Sequence, residues 1–231
     1  MKRFYKVVTY GTAEKGWPLL LDGKQAKTPS GNILTSQNKD MAEAIAAEWN
    51  AQTDEVDLHS MPITQIQTTK IDFIDDRKQE AVEQLLGFVD TDLLLYQVDN
   101  PSGLVERQKH FWQTWLDWME DTYMIHYKTT TGLNVVKQDQ SIHDAIETYV
   151  RKLDKARLAI FYITTNLSKS LILPIAFIER EASAQDLFQA VQVEEIYKQN
   201  FYDDIDPDTK DIHEKLQYEL MAAETYLELL D

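Results

Sequence analysis

Between positions 41 and 52 the apolar residues fall four apart, at Met41, Ile45 and Trp49, with Ala42 and Ala46 beside them. That is the stripe of an amphipathic helix. Asn38 stands where a side-chain oxygen accepts from the first free backbone N–H groups, so it is the expected N-cap. Trp49 lies near the helix end, where its ring reaches past its own turn into a neighbouring layer. Upstream the pattern is that of strands and downstream it is helical, so this helix is the expected joint between two unlike halves.

The strand-like half comes first. Phe4–Tyr10 and Trp17–Leu21 are β-branched and aromatic, and Asp22-Gly23 is a strong hairpin turn before Lys24–Lys27. Thr28-Pro29-Ser30-Gly31 predicts another turn and Asn32–Thr35 another strand, with Val56-Asp57-Leu58 as a further edge. A small antiparallel sheet needs a cover on its apolar face, and the helix at 41–52 supplies one.

From there the period is helical. Ser60 is the expected cap of a helix with Pro62 in its first turn and a face of Ile63, Ile66, Phe73 and Ile74. Val82, Leu85, Leu86 and Val89 face a second. Leu104–Tyr123 is the strongest, with Phe111, Trp112, Trp115, Leu116, Trp118 and Met119 over a wide sector, a central core helix. A small hairpin is expected around Thr131-Gly132, a helix capped by Ser141, and a helix over Leu158–Leu167. A buried, Pro174-kinked helix is expected over Lys169–Ile178. One helix capped by Ser183 runs to Asn200, and a last one spans 210–230. The fold class is therefore α+β, with a β-rich domain at 1–58 and an all-helical domain at 59–231.

A formal net charge of −16 makes nucleic acid and anionic membrane surfaces poor partners. The longest apolar run, Leu171–Ile178, is too short to span a bilayer, and the opening residues lack the apolar core of a signal peptide. There is no cysteine, which removes disulfides and thiolate chemistry.

Candidate chemistry is sparse. The five histidines are scattered without metal-ligand spacing. Asp204, Asp206 and Asp208 imitate a calcium loop, but Thr209 replaces the turn glycine and Lys215 the bidentate Glu. No phosphate loop or nucleophile elbow is present, so no catalytic, cofactor or metal residue is assigned. Glu194 is different: at about 100° per residue it falls in the middle of the stripe formed by Leu187, Ala190, Val191, Tyr197 and Phe201, and Glu195 lies at its edge. A carboxylate on a packed face must find a partner or shift its pKa. Either internal donors pin it, or it forms an acidic spot that meets another protein. The same choice applies to Glu48 beside Trp49.

Taken in order, Lys2-Arg3-Phe4-Tyr5-Lys6, Leu21-Asp22-Gly23-Lys24, Lys27-Thr28-Pro29, Ala47-Glu48-Trp49-Asn50-Ala51-Gln52 and Met61-Pro62-Ile63-Thr64 form one series. Thr91-Asp92-Leu93-Leu94 with Tyr96, Gln108 with Trp112 and Trp118, Lys169-Ser170-Leu171, and Glu194-Glu195 with Tyr197 extend it to about Asp204. This order resembles the assembly chaperone that escorts the alpha subunit of the F-type ATP synthase catalytic head, a family of mitochondria and α-proteobacteria. Departures are Gln113-Thr114, where the family has Asp-Pro, and Lys198, Phe201 and Tyr202, where it has Gln and Trp-Gly. The resemblance implies a non-enzymatic, monomeric chaperone that needs no cofactor and holds the alpha subunit until its beta partner replaces it. Glu194, Glu195 and Tyr197 would then touch the client, and Glu48, Trp49, Trp112 and Trp118 would be structural. Met1 at the family's usual opening favours a bacterial cytoplasm over a mitochondrial matrix. A metal-assisted hydrolase built on Glu194, Glu195 and a histidine, or a generic acidic scaffold, are the competing readings.

Overall fold

The computed structural model describes residues 1–14, 16–202 and 207–231, and side chains within them except at 200–202 and 207–209. The protein is α+β, with a small antiparallel sheet at its N-terminal end and helices through most of the remainder. Two compact units divide the chain: Met1–Lys78 with Asp154–Ile160 and Ala222–Asp231, and Gln79–Leu153 with Phe161–Met221. The boundary expected at residue 58 divides strand-rich from helical chain, whereas these units follow compactness.

In the first unit, strands β1 (Val8–Tyr10), β2 (Trp17–Leu21) and β3 (Lys24–Gln25) run antiparallel in that order, and β4 (Thr35–Ser36) also pairs with β2. Asp22 and Gly23 both take left-handed φ angles, 49° and 78°, as a two-residue hairpin turn requires. The Asp22 carboxylate accepts from the N–H groups of Val7 at 2.8 Å and Lys6 at 3.0 Å. Residues 4–7 lie outside the strand, so β1 is shorter than the apolar run. The expected edge strand at 56–58 is replaced as well. Residues 54–56 pair with the chain start through Arg3 N–H to Asp54 O at 2.9 Å and Val56 N–H to Met1 O at 2.6 Å, and Leu58–Ser60 forms a 3-10 turn.

Helix α1 (Lys39–Ala51) covers β1, β2 and β4 with the stripe Met41, Ala42, Ile45, Ala46 and Trp49, all buried. Asn38 caps it, accepting from Met41 N–H at 2.8 Å while its amide donates to Leu229 O at 2.7 Å. The latter bond fastens the C-terminal segment to this unit, and Tyr226 adds a hydrogen bond from its hydroxyl to Gln67. Helix α2 (Pro62–Thr69) is not capped by Ser60, whose hydroxyl donates to Asp57 O. Glu48 caps it from α1: its carboxylate accepts from Ile63 N–H at 2.8 Å, and from the N–H and hydroxyl of Thr64, both at 2.7 Å. A π turn at Lys70–Ile74 then leads into α3 (Asp75–Leu86), which bends at Arg77.

In the second unit, α4 (Ser102–Tyr123) buries Leu104, Gln108, Trp112, Leu116 and Met119. This is a narrower stripe than the aromatic run predicts, because Phe111, Trp115 and Trp118 stay half-exposed. No hairpin forms over 125–136. The Gln138 amide does the ladder's work instead, accepting from Lys128 N–H and donating to Lys128 O, both at 3.0 Å. Helix α5 (Gln140–Lys152) begins one residue before Ser141, so that serine is not its cap. Helix α6 (Lys155–Ser168) restarts at Asp154, whose carboxylate accepts from Ala156 and Arg157 N–H, each at 2.9 Å; its residues to Ile160 belong to the first unit and those from Phe161 to the second. Helix α7 (Ile172–Ile178) is buried at every position. Pro174 is its third residue, where the N–H has no intrahelical partner to lose, so no kink follows. Asp92, 1% exposed, organises this region. It accepts from Leu94 N–H at 3.0 Å, Ser170 Oγ–H at 2.9 Å, Leu171 N–H at 2.6 Å and Ile172 N–H at 3.1 Å.

Candidate functional site

The Glu194 region is assembled by three contacts between α4 and the stretch 190–197. Ser183 opens α8 (Ala184–Val191) with a capping box closed by Asp186. The expected single helix to Asn200 is interrupted at Gln192, whose φ and ψ are −95° and 10°, and α9 (Val193–Tyr202) begins after it. A helix end leaves carbonyls without intrahelical partners. Trp112, 1% exposed, supplies one of them, its indole N–H donating to Ala190 O at 2.7 Å. One turn earlier on α4, buried Gln108 spans two elements: its carbonyl accepts from Val98 N–H at 2.8 Å and its amide donates to Glu194 at 3.0 Å. One further turn back lies Gly103, where a Cβ would stand 3.1 Å from the ring of Tyr197. The residue there is glycine because the tyrosine ring lies against the helix backbone.

The two glutamates therefore differ. Glu194 is half-buried and tied to Gln108. Glu195 keeps 39% of its side chain exposed and, among the described residues, pairs with Lys198, one turn on, at 3.7 Å. Such an exposed pair is worth little to stability. Trp118 is half-buried and packs edge-on to Tyr123 at 5.6 Å. In the first unit, Trp49 is 6% exposed and packs against Tyr5 at 5.5 Å, and the Tyr5 hydroxyl donates to Trp49 O at 2.7 Å.

Burial and hydrogen bonding compete at the buried carboxylates. At Asp92 and Glu48, desolvation pushes the pKa above the usual carboxylate range against the pull of their donors. At Asp90 desolvation also pushes upward, but Lys137, Gln138 N–H and His143 outweigh it and hold the carboxyl below that range.

Three roles escaped the sequence. Asp92 is a buried hub, and an acid heading the apolar run Leu93–Leu95 was its signal. Gly103 had none beyond being a glycine inside a helix. The use of Gln108 against Glu194 had none, since the two are 86 residues apart. The calcium-like Asp204 and Asp206 lie outside the described residues, and the side chains of Asp208, Phe201 and Tyr202 lie outside the description too. Among the described residues no three His, Asp or Glu gather as a metal site, and no helix is long and apolar enough to cross a membrane.

A family model described as ATP12 chaperone protein matches residues 2–120. The chain is 26% identical to Atp12 from Paracoccus denitrificans, with a TM-score of 0.86 over 100% of this chain and 98% of that one. A mutant of the same Paracoccus protein gives the same values. The protein Atu1473 from Agrobacterium tumefaciens is 29% identical, with a TM-score of 0.89 over 100% of this chain and 86% of that one.

Proposed function

The chain belongs to the ATP12 chaperone family, and we propose that its client is the unassembled alpha subunit of the F-type ATP synthase. It holds that subunit in the bacterial cytoplasm, as a monomer and without catalysis, until the beta subunit takes its place. The observation that supports this most is the likeness to Paracoccus Atp12 over the whole chain, not over one unit alone. The physical case is direct. An orphan subunit exposes an interface made for its neighbour, and such apolar surface aggregates. A holder must cover it firmly enough to protect it and loosely enough to yield.

In this reading Glu195 and Tyr197 on α9 form the contact. Glu194 acts as a positioning residue, since its bond to Gln108 sets the face that α9 presents. Trp112 serves the same end by holding the last turn of α8. The test is expression of the alpha subunit with and without this chain. Soluble alpha subunit should rise with the chaperone present, and equal yields in both cultures would overturn the reading. Glu195→Lys should keep the wild-type melting temperature and lose capture of the alpha subunit, because it replaces an exposed acid without touching the Gln108 bond. Capture at the wild-type level would remove Glu195 from the contact. A pull-down from the native cell separates this client from that of a generic acidic scaffold.

A further inference from the structure

The first unit carries a furrow that the Glu195 surface does not explain. Two hollows of about 430 Å³ each lie on it, and Lys27 and Trp49 line both. Each falls within the usual range for a ligand site, roughly 300–1,000 Å³. The walls are largely apolar, and two large apolar side chains on them stand in solvent: Phe4, 62% exposed, and Leu58, 49% exposed. In a chain of net charge −16 the rim carries two lysines against one acid, Asp22, whose carboxylate is already engaged by the Lys6 and Val7 N–H groups. Lys24 and Lys27 are exposed, and neither enters an ion pair among the described residues. The shared residue Trp49 is more than nine-tenths buried, yet its indole Nε1–H has no acceptor. The other indole that the fold buries so deeply, Trp112, has its carbonyl.

We propose that this furrow binds an extended client segment of apolar residues interspersed with carboxylates. Apolar side chains would fill the hollows beside Phe4 and Leu58. Acidic side chains would meet Lys24 and Lys27, and the segment would cover the Trp49 ring, which lines both hollows. A basic or purely polar segment satisfies none of these features together. The inference rests on the client-holding reading above and adds to it a second contact in the other unit, with the segment's chemistry specified.

The test is a titration of the full ¹⁵N-labelled chain with a short synthetic peptide carrying paired leucines and glutamates in a serine background. The same peptide with lysine replacing glutamate is the control. The Trp49 indole signal is identified by its loss in Trp49→Phe or, independently, by its proximity to the Tyr5 ring. The glutamate peptide should shift that signal and leave the Trp112 indole in place. The double variant K24E/K27E changes only exposed side chains, so its melting temperature should hold while peptide affinity falls about tenfold. A still Trp49 signal at peptide excess, equal binding of the lysine peptide, or undiminished affinity in K24E/K27E would each overturn the proposal. No client takes part in the titration, so a failed alpha-subunit assay and a failed titration remain separable.

Discussion

Glu48 in the first unit and Asp92 in the second both bring a carboxylate to the N-terminus of a helix that begins elsewhere in the chain. Glu48 reaches from α1 to Ile63 and Thr64 at the head of α2, and Asp92 reaches from a short 3-10 turn to Leu171 and Ile172 at the head of α7. Both exploit the free donors and positive end that a helix offers. They differ in depth. Glu48 is half-buried and meets three donors, whereas Asp92 is 1% exposed and meets four. The lesson concerns motifs. The stretches Ala47–Gln52 and Met61–Thr64 belong together because one caps the other, and so do Thr91–Leu94 and Lys169–Leu171.

The largest effect should come from Trp49→Arg. It places a cation at a 6% exposed position against Tyr5, and the expected loss is about 5 kcal/mol in urea unfolding. An unchanged midpoint would show that the first unit does not depend on its indole. Next is the direct trial of the two caps. Asp92→Ala strands four buried donors and should lose about 4 kcal/mol. Glu48→Ala should lose about 1–2 kcal/mol, the ordinary worth of a helix cap. Equal losses would mean that depth does not grade the two sites. A finer contrast sets the indoles against each other. Trp112→Phe deletes a made hydrogen bond and Trp49→Phe an unmade one, so the first should cost about 1 kcal/mol more. The reverse order would contradict the assigned geometry.

The smallest effect is in pH, and its sign differs between neighbours. The folded pKa of Asp90 is depressed, so its stabilisation is present above the unfolded value, about 3.9, and is lost as pH falls through the folded one. The folded pKa of Asp92 is raised, so its proton-linked contribution favours folding below the unfolded value and disappears as pH rises through the folded one. Urea midpoints followed into acid should therefore decline less steeply in Asp90→Asn than in the wild type, and more steeply in Asp92→Asn. Parallel curves for all three proteins would refute the opposed environments.

What the sequence determined by itself is what acts over a few residues. The α1 stripe and its Asn38 cap, the Asp22-Gly23 turn, the Ser183 cap, and the run of strands before helices were all legible, because periodicity, capping and φ preference are local properties. The position of Glu194 on a packed face was legible too, and with it the need for a partner. Only the tertiary structure decided the partners. It gave Gln108 to Glu194, Glu48 to α2 in place of Ser60, and Asp92 to α7. It also broke the 183–200 helix at Gln192 and returned residues 222–231 to the unit that holds the chain's first strands. A buried donor or acceptor takes whatever group the packed core brings within about 3 Å, and no spacing along the chain states which of many distant carboxylates or amides that will be.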